Sequence, residues 1–377
     1  MHEGGPDDGF DERLMRRAIA LARLGEGHVE PNPMVGAVLA SAPENGSDRI
    51  IAEGWHAAFG GPHAEVAAIS SAGAAARGST LAVTLEPCCH HGKTPPCTAA
   101  IIAAGIARVI VGTRDPFPAV NGGGIDELVR AGIEVRVGVC EMEARRLIAP
   151  FRTLVERQRP WLTAKWAMSL DGRVATSGGE SRWISSEASR EIVHRLRGRM
   201  DAILCGIGTA IADDPLLTAR PAGPRQALRI VLDTTARLPL ESRLVRTACD
   251  VPLLVAAGPA APADRVRALQ EAGCEVWQAT ADHAGERVRQ LLAELGSRRL
   301  TNVLVEGGPP VLGSLADAQA IDEVWAFVAP TVIGGATAPS PIAGAGIQAL
   351  ASASAIEIEH TENTGGDLLV RGIVRRA

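Results

Sequence analysis

The chain of 377 residues has no tyrosine, and aromatic residues make up only 3% of it. Platforms on which single-stranded bases stack are therefore scarce, and a formal net charge of -5 supplies no overall basic field for a polynucleotide. No charge-free apolar stretch reaches the roughly 20 residues that a bilayer-crossing helix needs. The opening residues, MHEGGPDDGFDERL, are acidic and polar, with no cationic region followed by an apolar one, so no secretory signal is expected. Together these absences predict a cytoplasmic globular protein that acts on a small molecule, with neither nucleic acid nor membrane as partner. Its length leads to an expectation of about two domains.

Cysteine is also sparse. Seven residues, an odd number, fit metal or catalytic use in a reducing compartment better than a disulfide framework. Three of them fall within TLEPCCHHGKTPPC, residues 84–97, beside two histidines.

Hydrophobic residues at 46% and charged residues at 21% are ordinary for folded chains. DERLMRRAIALARL has apolar side chains at helical spacing behind acidic residues. The short apolar runs MVGAVLA, STLAVTLEP, ARVIVGT and EVRVGV then alternate with alanine-rich stretches, which predicts an α/β domain with a largely parallel sheet. The rhythm lapses at RRLIAPFRTLVERQRP, so residues 1–148 and 158–377 are expected as domains joined by a linker at 149–157. WLTAKWAMSLDG, DAILCGIG, LRIVLDT, PLLVAAG, CEVWQA, NVLVEGG and EVWAFVAP form a second series of strands. AIEIEHTENTGGDLLVRGIV reads as a closing hairpin around a Gly-Gly turn. No repeat of 20 to 50 residues is visible.

His63 and Glu65 in GPHAEVAAI stand at the head of an alanine-rich helix. With Cys88 and Cys97 they supply one imidazole, two thiolates and a carboxylate outside the metal's ligands. Three protein ligands leave the fourth tetrahedral position of Zn2+ open for water, whose proton Glu65 can take and pass to a leaving nitrogen. Cys97, behind two prolines and ahead of TAAIIAAG, is expected near a helix N-terminus, which favours thiolate. The order His-x-Glu, then Pro-Cys and a second cysteine, is that of zinc nucleobase deaminases, with a longer cysteine gap. Ligation by Cys89, or a closed structural site using His90 or His91, remains open from the residues alone.

PNPMVGAV, EGWHAAFGGPHAE, TLEPCCHHGKTPPC and DPFPAVNGGGI, in this order, closely resemble the deaminase half of the bifunctional riboflavin-biosynthesis deaminase/reductase family. The resemblance implies a cytidine-deaminase-like three-layer α/β/α domain. Its implied substrate is a diaminopyrimidinone carrying a ribosylamino 5′-phosphate, whose 2-amino group is hydrolysed to a carbonyl. Asn32, His56 and Lys93 match the family's substrate-holding positions; the amide of Asn32 suits a pyrimidine edge and Lys93 a phosphate. Phe117 stands where the family usually has asparagine in Asp-Pro-Asn-Pro.

No G-x-G-x-x-G follows a strand in the second half; NVLVEGGPPVLGSL offers instead a strand, a glycine pair and a helix start suited to phosphate. KWAMSLDGRVAT, GESRWIS, GIGTAIADDPLLTAR, IVLDTTARLP and VEGGPPV resemble the reductase half of the same family. That likeness implies a dihydrofolate-reductase-like α/β fold, NADPH as hydride donor, reduction of the ribosylamino group to ribitylamino, and a homo-oligomer, a dimer or larger, through this half. Ala167, Trp183, Thr209, Asp213, Thr234, Gly307 and Gly308 match cofactor positions. Ser181, Arg197, Leu217, Arg220 and Glu306 match substrate positions, and Lys165 matches a lysine at the reaction centre. Arginines suit the substrate phosphate, and Glu306 either orders a hydroxyl or caps the following helix.

Two rival functions are weighed against this one. A nucleoside or nucleic-acid deaminase with an unrelated C-terminal domain conflicts with SLDG and ADDP. A non-catalytic zinc sensor of a flavin precursor has no use for Glu65 as a proton shuttle.

Overall fold

A computed structural model describes residues 6–41, 49–90, 95–118 and 120–375. Lys93 and His91 lie outside the described residues. The chain divides into two compact units, Met1–Arg157 and Gln158–Ala377. The segment expected as a linker forms the helix Ala149–Arg157 within the first.

Among its described residues the first unit contains five strands, β1 Gly36–Ala40, β2 Ile50–Trp55, β3 Thr80–Leu85, β4 Arg108–Thr113 and β5 Glu134–Val137, in spatial order β2-β1-β3-β4-β5. β3, β4 and β5 are parallel, whereas β1 is antiparallel to both β2 and β3. The sheet is thus mixed rather than largely parallel. The antiparallel arm arises because β2, whose IIAEGW is too polar to stand out in sequence, pairs directly back onto β1.

Alternation of side chains explains the three layers. Val38, Ala82 and Ile110 pack with Leu14, Met15 and Ala18 of the helix Pro6–Ala22. Ala37, Leu39, Leu81 and Val83 face the other way, onto Ala64, Ala68, Ile101 and Leu128. With both faces covered, every residue of GAVLA is buried. Gly54 sets how close the helix Ala64–Ala72 comes, since a Cβ there would sit 2.4 Å from the Ala64 carbonyl oxygen. That approach delivers the head of the helix, with His63 and Glu65, to the sheet.

The second unit adds β6 Trp161–Ser169, β7 Ala202–Gly206, β8 Leu228–Leu232, β9 Leu253–Ala257, β10 Glu275–Gln278, β11 Asn302–Val305, β12 Glu323–Ala329, β13 Ile356–Thr364 and β14 Asp367–Val374. They form one nine-stranded sheet, ordered β10-β9-β8-β7-β11-β6-β12-β14-β13. Pairing is parallel from β10 to β12, and the expected hairpin closes the sheet antiparallel. Its turn, Gly365-Gly366, has φ of 59° and 95°, a backbone that glycine adopts without strain.

Ile203 and Cys205 face the core side shared with Val193 and Leu196 of the helix Glu187–Arg197. Ala202 and Leu204 face Leu291 and Leu292 of the helix Ala284–Ser297 and Leu312 of the helix Pro309–Asp317. β11 returns late in the chain to lie between β6 and β7, a reversal of strand order that opens a crevice at the carboxyl ends of the strands.

Candidate active sites

In the first unit three elements converge. His63 is the N-cap of Ala64–Ala72, Cys88 follows β3, and Cys97 opens the helix Cys97–Ala104. His63 Nδ1 lies 3.1 Å from Cys97 Sγ and 3.6 Å from Cys88 Sγ, and the three ligand atoms fall within 4.8 Å of one another. Tetrahedral zinc with ordinary bond lengths separates N and S ligands by about 3.5 Å, so the donors fit the metal in number, type and spacing. The hydrogen bond from Cys97 pushes the Cys88 thiol down to about 4, against burial, and His63 lowers it further. The same shared proton pushes the Cys97 thiol up. Two sulfurs sharing one proton beside an imidazole are a donor set of the kind that holds a divalent cation.

Glu65 is 3% exposed, and burial raises its carboxyl to about 6. Cys89 and His90 lie outside this cluster among the described residues. Cys89 Sγ abuts Gly123, 3.0 Å from where a Cβ would stand, and His90 tilts against Phe117 at a ring separation of 6.1 Å. The backbone N–H of Phe117 donates to Asp115, and its ring is 42% exposed.

His56 is 3% exposed, with Nδ1 2.9 Å from the Pro62 carbonyl oxygen and Nε2 3.3 Å from Asn32 Nδ2. A carbonyl only accepts, so Nδ1 carries the proton. Burial pushes the ring toward neutrality, leaving Nε2 to accept from the Asn32 amide. His56 thereby orients Asn32, whose Oδ1 turns away from the imidazole. Sequence reasoning passed over Glu86, whose carboxylate accepts from the N–H groups of Asp115, Gly122, Gly124 and Ile125. A glutamate two residues before Cys88 gave no local signal of these contacts, which reach the head of the helix Gly123–Arg130.

In the second unit a cavity of about 850 Å³ opens at the crevice. Its lining includes Lys165, Ala167, Ser181, Trp183, Arg197, Thr209, Asp213, Leu217, Arg220, Glu306, Gly307 and Gly308. Thr234 lines a second cavity of about 380 Å³. Glu306 leaves the end of β11 and does not cap the next helix, whose N-cap, Gly308, has no side-chain bond. It takes Arg197 instead, Nε to Oε1 2.5 Å and Nη2 to Oε2 2.9 Å, with Lys165 Nζ 3.8 Å from Oε2.

Burial opposes the Glu306 charge, but Arg197 and Lys165 outweigh it and hold the carboxyl at about 2. Burial pushes the Lys165 ammonium down. Gly307 fits where a Cβ would stand 2.7 Å from Val311, so bare backbone lines the cavity there. Trp183 is 70% exposed and lies under the Arg190 guanidinium, 4.4 Å from the ring centre. Arg190 and His194 also line the cavity. Their spacing with Arg197 at i, i+4 and i+7 along SREIVHRLR was the available signal of one cationic helix face.

Comparison with known proteins accounts for both units. Residues 9–113 match the cytidine and deoxycytidylate deaminase zinc-binding region, and residues 160–370 match the RibD C-terminal domain. The riboflavin biosynthesis protein RibD of Aquifex aeolicus is 39% identical over 96% of this chain and 98% of its own length. That of Escherichia coli strain K12 is 35% identical over 95% and 98%.

The chain belongs to the RibD family. Solved structures of this family superpose over almost its whole length. Acinetobacter baumannii RibD, 33% identical, gives a TM-score of 0.83 with 98% of this chain and 100% of that one covered. The diaminohydroxyphosphoribosylaminopyrimidine deaminase/5-amino-6-(5-phosphoribosylamino)uracil reductase of Thermotoga maritima, 36% identical, gives 0.82 with 98% and 99% covered. As a RibD-family member the chain is a bifunctional deaminase and reductase of riboflavin biosynthesis, with Zn2+ and NADPH as cofactors, and it acts on a small pyrimidine. The match over 160–370 removes the reading with an unrelated C-terminal domain.

Proposed function

We propose that residues 1–148 hydrolyse the 2-amino group of 2,5-diamino-6-ribosylamino-4(3H)-pyrimidinone 5′-phosphate, and that residues 158–377 then reduce the ribosylamino group to ribitylamino. The observation that carries this reading is the convergence of His63, Cys88 and Cys97 beside the buried Glu65. Zinc held by these three side chains supplies a Lewis acid that makes water nucleophilic near neutral pH. Glu65 accepts a proton from the attacking water and returns one to the 2-amino nitrogen, so that water adds, ammonia leaves and a carbonyl remains. Asn32 offers its oxygen to an N–H on the pyrimidine edge, with His56 fixing its orientation. Lys93 meets the phosphate.

When bound in the reductase, NADPH would supply a hydride for C1′, and Lys165 Nζ, beside Glu306, would hold the proton that O4′ takes as the C1′–O4′ bond breaks. Arg197, oriented by Glu306, and Arg220 meet the substrate phosphate; Ser181 and Leu217 shape its surroundings. Ala167, Trp183, Thr209, Asp213, Thr234, Gly307 and Gly308 seat the cofactor. The protein works in the cytoplasm as a homo-oligomer joined through the reductase unit, without nucleic acid or membrane as partner. Among the described residues no helix is long and apolar enough to cross a membrane.

The deciding experiment follows ammonia release and NADPH oxidation separately, with and without a zinc chelator. Ammonia release lost to chelation, with NADPH oxidation of pre-deaminated substrate surviving, is expected. Failure of both reactions on authentic substrate with zinc restored would overturn the assignment.

A further inference from the structure

The 380 Å³ cavity is continuous with the larger one, because Gly208, Thr209, Gly308 and Pro310 line both. It follows the carboxyl ends of β7, β8 and β9 away from Lys165 and Glu306. The half-buried ring of Trp277, in β10, forms part of its wall, a flat apolar surface of the kind a purine packs against. Two guanidinium groups, Arg237 and Arg287, border the same space. Arg287 is anchored at one edge, where Nη1 donates to the Asp282 carbonyl, and its planar fork has further donors. Arg237 is more than half exposed and approaches Asp233 only to 3.9 Å, beyond hydrogen-bonding distance.

The lone carboxylate of this cavity decides between two kinds of dinucleotide. Sites for the unphosphorylated cofactor turn an acidic side chain onto the ribose 2′-hydroxyl, whereas an arginine accommodates a 2′-phosphate. Asp233 follows β8 at a suitable place for the first arrangement, but it is fully buried and its Oδ2 accepts from the Leu238 N–H at 2.8 Å. Its Oδ2 is committed to the 233–238 turn, and its Oδ1, which makes no hydrogen bond, is buried with the rest of the side chain and has the Arg237 guanidinium as its neighbour at 3.9 Å. The cations are what the cavity presents.

Resting on the reductase reading above, we infer that Arg237 and Arg287 hold the 2′-phosphate of the adenosine half of NADPH and so set the preference for NADPH over NADH. Neither residue was singled out by motif. Guanidinium pairs its N–H groups with phosphate oxygens, and a charge-assisted contact of this kind changes affinity by about ten- to a hundredfold.

The test uses the full chain, R237A, R287A and the double variant, and measures kcat/KM for NADPH and for NADH with pre-deaminated substrate. Inhibition by 2′,5′-ADP and by 5′-AMP reads the phosphate contact directly. Each single change is expected to lower the NADPH-to-NADH ratio by about tenfold, and the double change by about a hundredfold. The two inhibitors should then become equally weak, and R237K and R287K should restore part of the difference. Equal loss with both cofactors, or an unchanged advantage of 2′,5′-ADP over 5′-AMP, would overturn the inference. A parent protein that reduces substrate equally well with either cofactor would sink this inference alone; one that oxidises neither would remove the reductase reading as well.

Discussion

Arg197 and Glu306 meet in a two-pronged ion pair, 2.5 and 2.9 Å, between the helix Glu187–Arg197 and the end of β11, with Lys165 on the same carboxylate. The Glu306 carboxyl is held at about 2, below the 4.5 of a free side chain. A carboxylate lowered on folding contributes stability above the unfolded value, and that contribution, about 3 kcal/mol, is lost as pH falls from about 4.5 towards 2. Acid titration of unfolding should therefore show a steeper loss over this window in the parent than in E306Q. The variant should also lose NADPH oxidation while releasing ammonia normally; identical acid profiles would contradict the pairing.

Glu65 sits at the head of its helix with its carboxyl raised by burial. General acid–base groups contribute about a hundred- to ten-thousandfold, so E65Q should lose ammonia release by that factor. It should retain zinc, because the substitution leaves His63, Cys88 and Cys97 in place, and it should retain NADPH oxidation on pre-deaminated substrate. A variant releasing ammonia at the parent rate would remove Glu65 from proton transfer.

Cys89 is the neighbour that sequence could not separate from Cys88. Its sulfur faces Gly123 at the head of the helix Gly123–Arg130, whereas Cys97 is buried within reach of His63 Nδ1. C97S should lose bound zinc and ammonia release together, and C89S should keep both. Metal analysis after dialysis distinguishes them; zinc lost from C89S would move that residue into the ligand set.

Arg229 is fully buried in β8 and reaches the carbonyls of Leu216, Leu244, Thr247 and Val251 and the Thr247 hydroxyl. R229M would fill similar volume and leave the Leu216 and Val251 oxygens without this donor, while Thr247 O keeps the Asp250 and Val251 N–H groups and Leu244 O the Thr247 hydroxyl, at a cost of about 1–3 kcal/mol. Leu216 adjoins Leu217 in the larger cavity, so KM for the pyrimidine should rise in the reductase assay. An unchanged melting temperature would show that the oxygens find other donors.

What was legible in the sequence follows physical rules of short range. The parallel strands of the second unit are continuous apolar runs, and the Gly-Gly hairpin announces its own turn. His63, Glu65 and Cys97 were readable because helix starts place them. β2 was hidden because exposed and half-buried positions in IIAEGW dilute its apolar signal. The partner of Arg197 was hidden for another reason: Glu306 lies 109 residues away, and only the return of β11 between β6 and β7 brings the charges together. Motif likeness matched Arg197 to a substrate position; it lines the larger cavity, and the folded contacts add the Glu306 carboxylate that orients it there.

The same long-range logic governs Glu86 and Gly124. Gly124 N–H donates to Glu86 Oε1 at 3.1 Å, and a Cβ on Gly124 would stand 2.0 Å from the Pro87 carbonyl oxygen. Because that contact is with backbone, G124A must shift the 86–88 segment, with a destabilisation of about 1–3 kcal/mol for overpacking. Cys88 moves with it, so zinc should dissociate more readily on dialysis and ammonia release should fall with it. E86Q removes charge from the same cluster without adding volume, and should weaken the loop while disturbing zinc less. NADPH oxidation on pre-deaminated substrate serves as the internal control for both. If G124A held zinc as tightly as the parent, the head of the helix Gly123–Arg130 would not be what fixes Cys88.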